Sequence, residues 1–159
     1  MKINKMKKIL IALDYNPTAQ KVAELGFSMA KAMCAEVILL HVVSNPAYYS
    51  STEYSPIMGF TGMGTWPLLD STDGLKNAAK DYLDKSKHHL GDETIKTLVK
   101  EGEFAESILI AAKDLHADII VMGSHSRRRL DKIIMGSVTE KVLYHTSVPL
   151  FIVPTRQNK

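Results

Sequence analysis

The stretch Ala117-Asp118-Ile119-Ile120-Val121-Met122-Gly123-Ser124-His125-Ser126-Arg127-Arg128-Arg129-Leu130-Asp131-Lys132-Ile133-Ile134-Met135-Gly136-Ser137-Val138-Thr139 changes character twice. Ile119 to Met122 is continuously apolar, the pattern of a strand covered on both faces; a strand with one wet face would alternate. The run stops at Gly123, passes through small and basic residues, and gives way after Gly136 to Ser137–His145, which reads as a helix. A buried strand that feeds a helix is one unit of an α/β fold.

The same unit recurs outward from this stretch. Lys8 to Leu13 reads as a buried strand. Asn16-Pro17-Thr18 then opens a helix, with Asn16 expected as N-cap, Pro17 at the first helical position, and Val22, Gly26, Met29 and Met33 at helical spacing. Val37–Val43 is a second buried strand. Asp73 is expected to cap a helix carrying Leu75, Ala78, Ala79, Tyr82 and Leu83 on one face. Thr94–Lys100 interleaves polar and apolar residues, as an edge strand does. Glu103–Leu115 reads as a helix with Ile108, Leu109 and Ala112 inward, and Pro149–Val153 as the last strand. Strands alternating with helices predict a doubly wound, five-stranded parallel sheet with right-handed crossovers. Ligands of such sheets sit beyond the carboxyl ends of the strands, here at Asp14, at Val42 and Val43, and at Gly123.

Composition narrows the class. The chain has 159 residues, which fits one domain spanning 1–159, and its net charge of +3 is too small to point to nucleic acid. The single cysteine, Cys34, excludes an intrachain disulfide and is expected as a small buried hydrophobe. No apolar run approaches the ~18 residues of a membrane span, so a cytoplasmic protein is expected. Residues 44–72 interrupt the pattern with prolines, glycines and the aromatics Tyr48, Tyr49, Tyr54, Phe60 and Trp66. So long an insertion is either a mobile surface loop or a lid whose aromatics, Trp66 among them, respond to a ligand beside Val42.

At Gly123–Thr139 two readings fit the chemistry. Free N–H groups and the dipole at a helix start favour an anion, and glycine lets a backbone approach phosphate closely. Alternatively, Gly136 or Ser137 simply caps a strand-to-helix connection. The residue types alone do not separate these.

The segment resembles the nucleotide-binding motif G-x2-G-x9-G-[ST] of the universal stress protein family. Gly123 matches the first glycine, Gly136 the last and Ser137 the closing Ser/Thr, with nine residues between Ser126 and Gly136. The resemblance extends to Ile9–Asp14, His41-Val42-Val43, Ala117–Gly123 and Ser147-Val148-Pro149. Ser126 stands where the motif has its second glycine; serine keeps the N–H and adds a hydroxyl, with a steric penalty wherever φ must be positive.

The resemblance implies a Rossmann-like sheet of the adenine nucleotide alpha hydrolase type, with strand order 3-2-1-4-5. It implies binding of ATP or another adenine nucleotide, a Mg ion accompanying it, and a homodimer through the last strand, 148–153. Ala12, Leu13 and Asp14 would line the site, with Asp14 on the ribose hydroxyls or the cation. The Val42 backbone would meet the adenine edge. Met122 and Gly123 would pack on the sugar. His125, Ser126, Arg127, Gly136, Ser137, Val138 and Thr139 would surround the phosphates. No P-loop and no S-G-G-x-D-S or H-x-G-H sequence is present, so neither rapid ATP hydrolysis nor adenylyl transfer has a visible apparatus. The expected function is therefore a nucleotide-holding regulatory protein without catalytic residues; a ligand-free dimeric interaction module of the same fold is the alternative. No nucleic-acid or membrane partner is expected, and the sequence names no protein partner.

Overall fold

The computed structural model describes residues 6–45, 72–124 and 135–155. The expected strands form as β1 (Lys8–Ala12), β2 (Glu36–Val43), β3 (Lys96–Glu101), β4 (Ile119–Gly123) and β5 (Leu150–Val153). Between them lie α1 (Ala19–Met33), α2 (Thr72–Leu90), α3 (Phe104–Asp114) and α4 (Ser137–His145). Every strand pair is parallel, and the order is β3-β2-β1-β4-β5. This is the doubly wound sheet that the alternation predicts, with the strand order that the family resemblance implies.

Strand alternation divides the interior in two. Ile9, Ile11, Leu39 and Val121 point to one face, where they pack with Val22, Ala23 and Ala30 of α1 and Leu83 of α2. Leu10, Ile38, Leu40 and Ile120 point to the other, against Ala105, Ile108 and Ala111 of α3 and Val142 of α4. Each fully buried aliphatic side chain contributes about 1.5–3 kcal/mol by leaving water, which is why the central strands are apolar on both faces, with His41 of β2 the buried polar exception among the described residues. β3 is partly exposed along its length, as an edge strand should be.

The structure corrects three local expectations. The first helix begins at Ala19 with Thr18 as N-cap, not at Pro17 with Asn16 as cap. Asn16 instead accepts the Thr18 N–H (3.0 Å) and hydroxyl (2.8 Å) in a side-chain turn, which delays the helix by two residues. Asp73 lies inside the first turn of α2, which starts at Thr72. Cys34 is exposed, not buried. It is the C-cap of α1 with φ 52°, and its N–H and that of Ala35 close the helix on Lys31 and Ala30. A left-handed residue at a helix end turns outward with the chain.

Two features set the geometry of the functional end. At Gly26, α1 lies so close to the sheet that an added Cβ would stand 2.7 Å from Ile11 Cδ1 and 3.2 Å from Val121 Cγ1. The strand order reverses between β1 and β4, so the chain diverges there and opens a crevice at the carboxyl rim. Replacing Gly26 by valine should cost about 1–3 kcal/mol, because the branched side chain must push α1 off β1 and β4. Urea unfolding measures this, and a Gly26→Val protein as stable as the parent would contradict the close packing.

Candidate functional site

The crevice is bounded on one side by the described ends of the glycine segment. β4 leaves the sheet at Gly123, where a Cβ would lie 2.9 Å from Thr155 Cγ2 and 3.2 Å from Val22 Cγ2. Only glycine lets the strand end pass beneath the C-terminal residues. Ser124 N–H donates to Val153 O (2.9 Å), and Gly136 N–H donates to Ser124 O (2.7 Å). One hydrogen bond therefore draws the two ends of the segment together. The Thr139 hydroxyl, buried, donates to Gly123 O at 2.8 Å, so this residue faces the crevice with backbone rather than hydroxyl.

Gly136 is the N-cap of α4, with φ −57° and ψ 148° and no side-chain cap. These dihedrals suit any residue; what glycine provides is a helix start without a capping side chain of its own. Glu140 N–H is the first to find a carbonyl in its own helix, that of Gly136 at 2.9 Å. Helix geometry then directs the Ser137, Val138 and Thr139 N–H groups out of the end, where they and the dipole attract negative charge. Met122 is buried with the α3 and α4 core, while Ser137 is exposed at the rim. His125, Ser126 and Arg127 lie outside the described residues, as does most of the 44–72 insertion with Trp66.

The other wall is the end of β1. Ala12 is half-buried and Leu13 buried, and Asp14 follows in the turn. Asp14 Oδ1 accepts the Asn16 N–H at 3.0 Å. Burial pushes its pKa up to about 6, against the opposing pull of backbone N–H groups. The Asp14 carbonyl accepts the Tyr82 hydroxyl at 2.6 Å, and the Leu13 carbonyl meets His41 Nδ1 at 2.7 Å. The rings of Tyr15 and His41 stand 4.3 Å apart and those of Tyr15 and Tyr82 5.0 Å, with His41 buried and its pKa lowered by burial to about 4. Val42 buries its side chain in the α3 face of the sheet. β2 residues alternate which neighbour their backbone addresses; Leu40 O bonds Leu13 and Val43 O bonds Gly102, so Val42 turns its N–H and C=O toward the β1 side.

The fold thus assembles Leu13, Asp14, Val42, Gly123, Gly136, Ser137 and Val138 on one rim. Thr155 and Tyr15 had no sequence signal, and Tyr82, expected on the packed face of its helix, was given no role at the rim. Thr155 is buried, its N–H donating to Ser124 Oγ at 3.0 Å and its hydroxyl 3.2 Å from the same oxygen. No spacing rule links it to Ser124. The one available signal was His41, a polar residue inside an otherwise apolar strand. Among the described residues no group of three or more His, Cys, Asp or Glu is placed to hold a metal ion. Asp14 offers a single carboxylate, so a cation held by the described residues there needs oxygens from a bound anion.

The pKa of Asp14 has a consequence for stability. Its folded value, about 6, lies above the ordinary carboxyl value near 3.9, so ionisation destabilises the folded state. The cost is absent below pH 4, develops as pH rises between 4 and 6, and is complete above 6. Asn keeps an oxygen for the Asn16 N–H without the charge. Asp14→Asn should therefore be more stable than the parent at pH 8, by up to about 3 kcal/mol, with the gain vanishing by pH 4. Thermal melts across that range test this; a pH-independent difference would contradict it.

Comparison with known proteins places this geometry in a family. Residues 5–154 match the universal stress protein family. Universal stress protein MJ0577 of Methanocaldococcus jannaschii is 30% identical over 158 residues, spanning 96% of this chain and 97% of that one. The solved structure of MJ0577 covers 98% of this chain and 100% of its own, with TM-score 0.69 and 30% identity. A universal stress protein in complex with cAMP shares the fold at 15% identity and TM-score 0.63, covering 96% of this chain and 100% of its own. The universal stress protein of Archaeoglobus fulgidus in complex with dAMP does so at 18% and 0.58, covering 94% and 98%. With its sheet order, its glycine segment and a match over nearly its whole length, this chain belongs to the universal stress protein family.

Proposed function

We propose that this protein is a small cytoplasmic regulator that binds ATP or a related adenine nucleotide as a homodimer, with hydrolysis absent or very slow. The observation that carries the reading is the uncapped start of α4, drawn against the end of β4 by the Gly136–Ser124 bond. Its outward N–H groups suit a phosphate chain. The cAMP and dAMP complexes of proteins sharing this fold support an adenine nucleotide as the ligand. Asp14 would take the ribose hydroxyls or, with nucleotide oxygens, a Mg ion, and His125, Ser126 and Arg127 would complete the phosphate environment. The residues suited to the nucleotide bind and orient it in this reading; among the described ones, none is placed as a nucleophile or as a paired acid and base. The chain acts as one domain in this reading, with no nucleic-acid or membrane partner, and no described helix is long and apolar enough to cross a membrane.

Two observations support association through β5. It is the last strand of the sheet, open on one side, and Phe151 on it is 42% exposed. An uncovered apolar edge templates pairing with a second copy. Sedimentation should give a dimer at tens of micromolar, shifted toward monomer by Phe151→Asp; a parent protein that sediments as a monomer would overturn this part of the proposal.

Mass spectrometry of the purified protein should detect a retained adenine nucleotide, and ATP should raise the melting temperature. No thermal shift with ATP favours the ligand-free module. Gly136→Asp is the sharper test. Aspartate is a preferred N-cap, so the variant should fold at least as well as the parent. Its carboxylate would occupy the N–H groups offered to phosphate and repel the polyanion. ATP affinity should fall about 100-fold or more, since each ~1.4 kcal/mol is tenfold. A folded Gly136→Asp protein with parental affinity by calorimetry would refute the site.

A further inference from the structure

We infer that His41 is the positioning residue that creates the adenine-reading edge, by taking the Leu13 carbonyl and so leaving the Val42 N–H and C=O turned to the crevice as a donor–acceptor pair. The inference rests on the nucleotide reading above and concerns how the base, rather than the phosphates, is held.

In a parallel ladder, a residue that donates its N–H to one neighbour accepts, through its C=O, from the neighbour two positions on. Leu13 N–H donates to Leu40 O at 2.8 Å, so the next rung would run from Val42 N–H to Leu13 O. That rung is not made. The Leu13 carbonyl meets His41 Nδ1 at 2.7 Å instead. A carbonyl only accepts, so Nδ1 carries the ring proton and Nε2 is a bare lone pair. Nε2 is buried and has no hydrogen-bond partner among the described residues. An unpaired buried nitrogen destabilises the fold, and a leucine here would avoid it. The arrangement makes sense if what matters is the bond at Nδ1.

The surroundings hold the ring to that task. Tyr15 lies 4.3 Å from it, and Tyr82 lies 5.8 Å away while donating its hydroxyl to the Asp14 carbonyl. Two successive carbonyls, of Leu13 and Asp14, are thus taken by side chains, and β1 leaves the sheet. On its other side β2 keeps pairing, with Val43 O accepting Gly102 N–H at 3.0 Å. Among the described residues, the strand is therefore paired toward β3 and unpaired toward the crevice at Val42. An N–H beside a C=O complements the acceptor and donor that adenine presents at N1 and N6.

The test compares the parent with His41→Leu and His41→Asn. Calorimetry gives affinities for ATP and for tripolyphosphate, which has phosphates and no base; NMR-detected amide exchange reads Val42. In His41→Leu the freed Leu13 carbonyl should take the Val42 N–H. That amide should become at least about tenfold better protected, and ATP affinity should fall about tenfold with tripolyphosphate unaffected. Asparagine places Nδ2 where Nδ1 stands, so His41→Asn should stay within about threefold of the parent for ATP. Unchanged ATP affinity or Val42 protection in His41→Leu would overturn the inference, as would equal loss of ATP and tripolyphosphate, the mark of a merely structural role. If the parent binds neither ligand, the nucleotide reading fails by itself, and Val42 protection in His41→Leu still decides whether His41 interrupts the ladder.

Discussion

A buried parallel strand can pair its backbone only as far as its neighbours run beside it, and at the carboxyl rim of this sheet they stop at different levels. β1 ends at Ala12, while β2 continues to Val43 and β4 to Gly123. Each premature ending leaves N–H and C=O groups that must be met by water, side chains or a ligand. Several polar contacts among the described residues at this end of the molecule answer that demand.

Side chains answer part of it. His41 and Tyr82 take the Leu13 and Asp14 carbonyls, Thr139 takes that of Gly123, and Ser124 is bound between Val153 and Thr155. These contacts stiffen the rim without closing it. Among the described residues, two sets of backbone groups at the crevice find no partner: the first N–H groups of α4 and the edge of Val42. One set suits phosphate and the other a base. Burial raises the Asp14 pKa between them, which makes that carboxyl sensitive to any cation or hydroxyl brought near it. The rim geometry suits the kind of ligand found in the cAMP and dAMP complexes of proteins that share this fold.

The parts of this arrangement that were legible in the sequence are those written in local pattern. Continuous apolar runs announced the buried strands, and α4 matches its expected bounds because Gly136 marks its start and His145 its last turn. Local pattern misled where polar side chains rebuilt the backbone. Asp14 and Asn16 each form a side-chain turn, which moves the start of α1 to Ala19, and a left-handed C-cap exposes Cys34. Gly123 and Gly136 were visible through spacing, yet the reason for Gly123 was not, because Thr155 reaches it through the tertiary fold. Tyr82 and Thr155 meet partners 68 and 31 residues away, and only the sheet order brings them together. His41 was visible as a polar break in β2, but its meaning depends on where β1 stops.

In the proposed complex, one ligand spans both sets of backbone groups. Titrating ATP into the 15N-labelled protein and following backbone amides measures this most directly. Saturable shifts are expected at Ser137 and Val138 together with Val42, all with one dissociation constant. Shifts confined to other surfaces, or none at saturating ATP, would contradict this.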